Sequence, residues 1–142
     1  MRLQEQRSVR RPQGEVFEYT ADFDKIEDWD PGVAASSRRG EGPIGVGTSF
    51  DLDVRFGRSI IPMVYEITEF EPNTRVVLVG KGETLDAVDE IRFRTEEGKT
   101  VIDYTADLTF HNWIKYVDPL LSPFMKGVGR RAVDGLVAAL GG

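Results

Sequence analysis

The sequence predicts an α+β domain, in which a curved antiparallel sheet of about six to seven strands wraps around a long C-terminal helix, with two short helices after the first strand. Three observations predict it. Most of the stretch 33–110 alternates apolar and polar side chains, the period of a half-buried strand. Residues 118–140 repeat with a helical period instead. At 100° per residue, Leu121, Phe124, Met125, Val128, Ala132, Gly135, Leu136 and Ala139 share one face, and Lys126, Arg130, Arg131 and Asp134 lie off its centre. The alternating runs are joined by short turn signals such as Pro72-Asn73 and Glu96-Glu97-Gly98-Lys99, which implies an antiparallel meander with one wet face.

Each element has its own local reason. Residues 3–10 form a first strand with Leu3, Glu5, Arg7 and Val9 on one face, ended by Pro12. Residues 14–22 read as a short helix with Val16, Phe17 and Thr20 as its apolar patch, and 23–29 as a second; both are too short to stand alone and must dock. Trp29-Asp30-Pro31-Gly32 breaks the helical run, because proline disfavours a helical residue before it and glycine follows. The strands are then 48–56, with Phe50, Leu52, Val54 and Phe56 on one face; 60–70, with Met63, Tyr65 and Ile67; 75–79; 85–94, with Ala87, Asp89, Ile91 and Phe93; and 100–110, with Ile102, Tyr104, Ala106, Leu108 and Phe110. Asp118-Pro119 or Ser122-Pro123 supplies the cap of the last helix, and Gly141-Gly142 its stop.

Composition bounds the function. With 142 residues, 40% hydrophobic and 30% charged, the chain is expected to be one domain, 1–142, with a real core. No cysteine is present, which excludes disulfides and thiolate metal sites. The charged start lacks the apolar run of a signal peptide and no segment approaches a membrane span, so a cytoplasmic protein with no membrane insertion is expected. A net charge of −6 argues against nucleic acid as a partner. Cofactors are not expected. Metal binding is not expected either, since the single histidine, His111, belongs to no His-Glu-x-x-His pattern.

A twisted sheet of this size curls, and one amphipathic helix fills its concavity only in part, so a cavity is expected between them. Ala132, Gly135 and Ala139 are small where Leu or Phe would have filled space; they signal either close helix-on-sheet packing or room for a ligand. At this point the chain resembles a family, the helix-grip proteins of the START-related (SRPBCC) superfamily, and within it the bacterial polyketide cyclase/dehydrase and lipid-transport group. The resemblance rests on the first strand leading to Pro12, Val16-Phe17 with Asp22 closing the first helix, the Trp29-Asp30-Pro31 break, the glycine-rich run 42–48 before a strand, the strand end from Tyr65 to Pro72, and the terminal helix. It implies a deep apolar pocket beneath the long helix and no single reaction. It also makes the glycine-rich run a flexible loop at the pocket's mouth.

The side chains expected to line that pocket are Trp29, Phe50, Leu52, Val54, Met63, Tyr65, Ile67, Asp89, Ile91, Tyr104, Leu108, Phe124, Val128 and Ala132, with Trp113 as core or wall. Asp89 is the telling one. Pointing inward with Ala87 and Ile91, an unpaired carboxylate would be costly, so it requires a partner, for which Glu5, Arg7, Tyr65 and Tyr104 are placed. A bulge near residues 86–89 would instead turn it to solvent. Asp89, Tyr65 and His111 are the candidates for acid/base chemistry. The first expectation for function is a carrier or sensor that binds a hydrophobic or aromatic small molecule, lipid- or polyketide-like. The alternatives are a polyketide cyclase/dehydratase-type enzyme and a co-chaperone-like protein-interaction module. Val133, Val137 and Leu140, off the main helix face, are either covered by the first strand and short helices or exposed for dimerisation, leaving monomer and homodimer both open.

Overall fold

The alternating stretches become seven strands, β1 (Arg2–Val9), β2 (Val33–Arg39), β3 (Ser49–Phe56), β4 (Ser59–Glu71), β5 (Arg75–Gly82), β6 (Leu85–Glu96) and β7 (Lys99–Phe110). They form one sheet in the order β1-β7-β6-β5-β4-β3-β2 with every pair antiparallel. The sheet is curved around a C-terminal helix, which makes the fold helix-grip-like. The computed structural model describes residues 1–141; the side chains of residues 113 and 117–119 lie outside that description, and with them the expectations placed on Trp113, the Asp118-Pro119 cap and Gly142.

Between β1 and β2 stand α1 (Gln13–Ala21) and a 3₁₀ helix (Phe23–Asp28), so the second expected helix exists in the tighter form. The Asp22 side chain caps it, accepting from the Asp24 amide at 3.1 Å. Both short elements are held by aromatic rings. Phe17 of α1 sits edge-on to Phe70 and Phe93, each at 5.2 Å between centroids, and Phe23 packs against Trp29, Phe50 and Tyr65. A second 3₁₀ helix (Asn112–Val117), entered through Asn112 at φ 58°, leads into α2 (Asp118–Ala139). The helix takes the earlier of the two proline starts, so Pro123 lies inside it and removes one amide donor from an early turn.

Strand β5 runs through Gly80 and Gly82, beyond the end at residue 79 that the pattern suggests. Glycine weakens a strand by itself. Here it makes room. Tyr65 pairs with Gly80 and Met63 with Gly82 across β4 and β5, and a Cβ on Gly80 would stand 2.6 Å from the Tyr65 ring. The aromatic ring lies over bare backbone.

The buried face of α2 is turned relative to the expected one. Met125, Val133, Leu136 and Leu140 are buried, Phe124 is 44% exposed, and Ala139 faces outward. The helix packs on β1, where Gly129 lies over Leu3 and Arg7 pairs with Asp134 at 3.0 Å. Val133 and Leu140 are therefore covered and Val137 is half-buried, so this strip is not an exposed surface for a partner.

Gly135 and Gly129 behave differently under this packing. A Cβ on Gly135 would stand 1.8 Å from the Trp29 carbonyl oxygen, whereas one on Gly129 would meet Leu3 at an ordinary 3.6 Å. Gly135→Ala should thus lose on the order of 1–3 kcal/mol, since backbone must shift. Gly129→Ala should be neutral or gain up to about 1 kcal/mol from helix propensity. Urea unfolding of the two variants checks this, and equal effects would contradict the packing.

Candidate functional site

Between the concave face of the sheet and the middle of α2 lies a cavity. Leu52, Val54, Met63, Tyr65, Asp89, Tyr104, Leu108, Val128 and Ala132 line it. The wall also takes Leu3 of β1, Phe23 and Ile26 of the first 3₁₀ helix, Val33 of β2, and Met125 and Gly129 of α2. Other expected wall residues stand elsewhere. Phe50 is covered by Phe23 at 6.1 Å, and Trp29, Ile67 and Ile91 are buried in packed core. Strands β4 and β6 are longer than the cavity, and α1 closes their far end through Phe17, Phe70 and Phe93. Phe124 stands outside the cavity wall, edge-on to Phe56 at 6.3 Å, in a neighbouring groove with Pro31, Arg55, Val128 and Arg131.

The polar groups sit on neighbouring strands. Asp89 is 7% exposed, and its Oδ2 accepts from the Tyr104 hydroxyl at 2.5 Å. The inward alternation holds in β6 without a bulge, because Asp89 pairs in register with Leu78 and Ala106. Burial pushes the Asp89 carboxyl up to about 7; the Tyr104 hydrogen bond works against that shift, and the charges of Asp30 and Asp107 add to it. Burial first, then the negative charge of Asp89, raises both the Tyr65 and the Tyr104 phenols well above their ordinary value, so both stay protonated donors.

Asp30 is the group that sequence reasoning missed. It appears in the sequence as part of a helix break, yet it lines the cavity. Its Oδ1 accepts from the Gly32 amide at 2.7 Å, and burial raises it to about 6 against the pull of that bond and of Arg131. The signal that could have found it was the Asp-Pro-Gly turn, in which an aspartate bonds its own backbone two residues on. Glu5 also lines the cavity and pairs with Arg7 at 3.1 Å, while Arg7 bridges onward to Asp134 and is absent from the wall.

Two expected parts are displaced. His111 is outside the cavity wall; its Nε2 lies 3.2 Å from Asp86 Oδ1 and its amide donates to Thr84 O, tying the end of β7 to the β5–β6 turn. The run 42–48 lines no part of the cavity. It is stitched to β4, Gly47 N–H donating to Ile67 O and Ile67 N–H to Thr48 O. A neighbouring groove, formed by the β3–β4 hairpin, the Pro31-Gly32 turn and α2, shares Gly32, Arg55 and Val128 with the cavity wall. Among the described residues no group of three His, Cys, Asp or Glu side chains could hold a metal ion, and no helix is long and apolar enough to cross a membrane.

Fold and cavity together define a helix-grip protein with a mostly apolar chamber and a few convergent polar groups. Solved structures share this shape across the whole chain. TTHA0849 from Thermus thermophilus matches with a TM-score of 0.84 at 14% identity, covering 99% of this chain and 97% of that one. The Zhui aromatase/cyclase from Streptomyces sp. R1128 matches at 0.82 and 14%, covering 99% and 93%. A START superfamily protein from Mycobacterium smegmatis matches at 0.71 and 14%, covering 98% and 93%. In sequence, no curated protein matches. The family model for polyketide cyclase/dehydrase and lipid transport matches residues 1–141, and the chain belongs to that family.

The raised acids give the fold a pH dependence. Folded Asp89 and Asp30 hold protons, to about 7 and about 6, where ordinary aspartates at 3.8 have lost them. Their contribution to stability is thus fully present below about pH 4 and is lost as pH rises toward 7. Denaturant midpoints from pH 5 to 8 should fall with pH in the wild type. In Asp89→Asn, which retains an acceptor for Tyr104, the slope should be clearly shallower; an unchanged slope would assign the titration to other groups.

Proposed function

We propose that the protein binds a hydrophobic or aromatic small molecule, lipid- or polyketide-like, in the cavity between sheet and α2, and acts as its carrier or sensor. One observation carries the reading: walls of Leu52, Val54, Met63, Leu108 and Val128 surround the buried Asp89–Tyr104 pair. Apolar walls drive desolvation of the ligand, and a few fixed polar groups orient it. The cavity measures about 110 Å³. One water needs on the order of 10–15 Å³ by that measure, so the space suits a small fused-ring molecule. The family and the aromatase/cyclase neighbour support a ligand of this kind.

A second reading, a cyclase or dehydratase, is favoured by one specific feature. A carboxyl raised to about 7 beside two protonated phenols can take and return a proton near neutral pH. Turnover lost in Asp89→Asn with binding retained would favour the enzyme. Recovery of the ligand unchanged after incubation with wild type favours the carrier.

Binding itself is read with N-phenyl-1-naphthylamine, a neutral apolar fluorophore. Wild type should bind it with increased emission, and Ala132→Leu, which places a larger side chain in the wall, should weaken that binding by at least about tenfold while costing under about 1 kcal/mol of stability. No binding by wild type, or a variant that binds equally well, counts against the cavity as the site.

A further inference from the structure

The cavity presents two polar atoms that the fold leaves uncommitted, and their placement specifies the ligand more closely than the binding reading on which this inference rests. Tyr65 is 8% exposed and lines the cavity, and among the described residues its hydroxyl has no hydrogen-bond partner. Its ring lies across Gly80, where a Cβ would stand 2.6 Å from ring carbons, so the phenol extends over the bare backbone of β5, the strand between Tyr65 on β4 and Asp89 on β6. Tyr104 engages Oδ2 of Asp89, and among the described residues no donor meets Oδ1.

The charges around these atoms decide what they can receive. Asp30 and Glu5 are the other carboxyl groups in the wall. Arg55 is the one cationic side chain lining the cavity among the described residues, and it is engaged by the carbonyls of Pro31 and Val33 at 2.7 and 3.3 Å. The residues that α2 contributes to the wall, Met125, Val128, Gly129, Ala132 and Val133, carry no charge. A carboxylate at the inner end of a ligand would face Asp89 with no counter-ion beside it. A hydroxyl both donates and accepts, and so satisfies Asp89 Oδ1 and the Tyr65 O–H together.

We infer that Tyr65 and Asp89 form a hydroxyl-recognition pair, and that the ligand is a neutral ring molecule carrying a phenol-type hydroxyl at its buried end. Gly80 belongs to the device, because only a residue without a Cβ lets the Tyr65 ring cross β5.

The test compares 2-naphthol with naphthalene by titration calorimetry at pH 7, on wild type, Tyr65→Phe, and the double variant Asp89→Leu/Tyr104→Phe. The double variant removes both buried partners together and leaves no orphaned donor, so it should fold. Wild type should prefer naphthol by about tenfold or more, the worth of one or two well-made hydrogen bonds. In both variants the preference for naphthol over naphthalene should fall to about threefold or less. Equal binding of the two probes by wild type, or a preference that survives in both variants, overturns the recognition pair while leaving cavity binding in place. Binding of neither probe overturns the binding reading and this inference with it.

Discussion

The contact between Gly135 and the Trp29 carbonyl sets the position of everything above the sheet. With no side chain at 135, the backbone of α2 meets the end of the first 3₁₀ helix, and a Cβ there would lie 1.8 Å from the carbonyl oxygen. Arg11 fastens the same end of the helix by donating from Nε to Leu140 O at 2.9 Å. The C-terminal half of α2 is thus pinned against the core. The middle of α2 stands off the sheet, where Val128, Gly129 and Ala132 line open space. A rigid helix held down at its C-terminal end over a curved sheet leaves a wedge beneath its middle, and the cavity is that wedge.

The polar groups inside the wedge are held at a cost in stability. Asp89 sits in an apolar wall where its charged form is disfavoured, and Tyr104 gives it one hydrogen bond without neutralising it. A leucine at 89 would serve the core better. The exposed carboxylates follow the opposite logic: Glu69, Glu71 and Glu90 gather around Arg75, and Asp107 and Asp51 pair with Arg2 and Arg39. The cavity acids, Asp89 and Asp30, are instead pushed by burial toward neutral pH. That contrast marks Asp89 and Asp30 as candidate site groups.

Much of the fold was legible because period carries it. Strands β3 and β6 alternate along most of their length, and one-residue slips would expose Phe50 or Ile91, so their register is strongly specified. The end of β5 was illegible, because glycine reads as a stop when the side chain that covers it, Tyr65, comes from another strand. The angular position of α2 was illegible for a similar reason. A helical wheel ranks faces by hydrophobicity alone, whereas β1 and the Trp29 carbonyl decided in favour of Val133 and Leu140 over Phe124 and Ala139. The candidate site divides along the same line. Asp89, Tyr65 and Tyr104 follow from strand parity, but Asp30 lies in a turn whose burial only the docked helix creates.

That division explains how the same shape persists at 14% identity with TTHA0849 and the Zhui aromatase/cyclase. The fold asks only for apolar residues at alternate positions, small residues where the helix approaches, and a few turns; many different sequences meet those demands equally well. What distinguishes one such chamber from another is confined to the positions where the pattern is broken. In this chain they are Asp89 and Asp30 within apolar surroundings, Gly80 within a strand, and the phenols of Tyr65 and Tyr104. Each departs from what packing alone favours. Burial energy does not select a lone aspartate in an apolar wall, so Asp89 and Asp30 are the positions where this chamber answers to something besides its own packing.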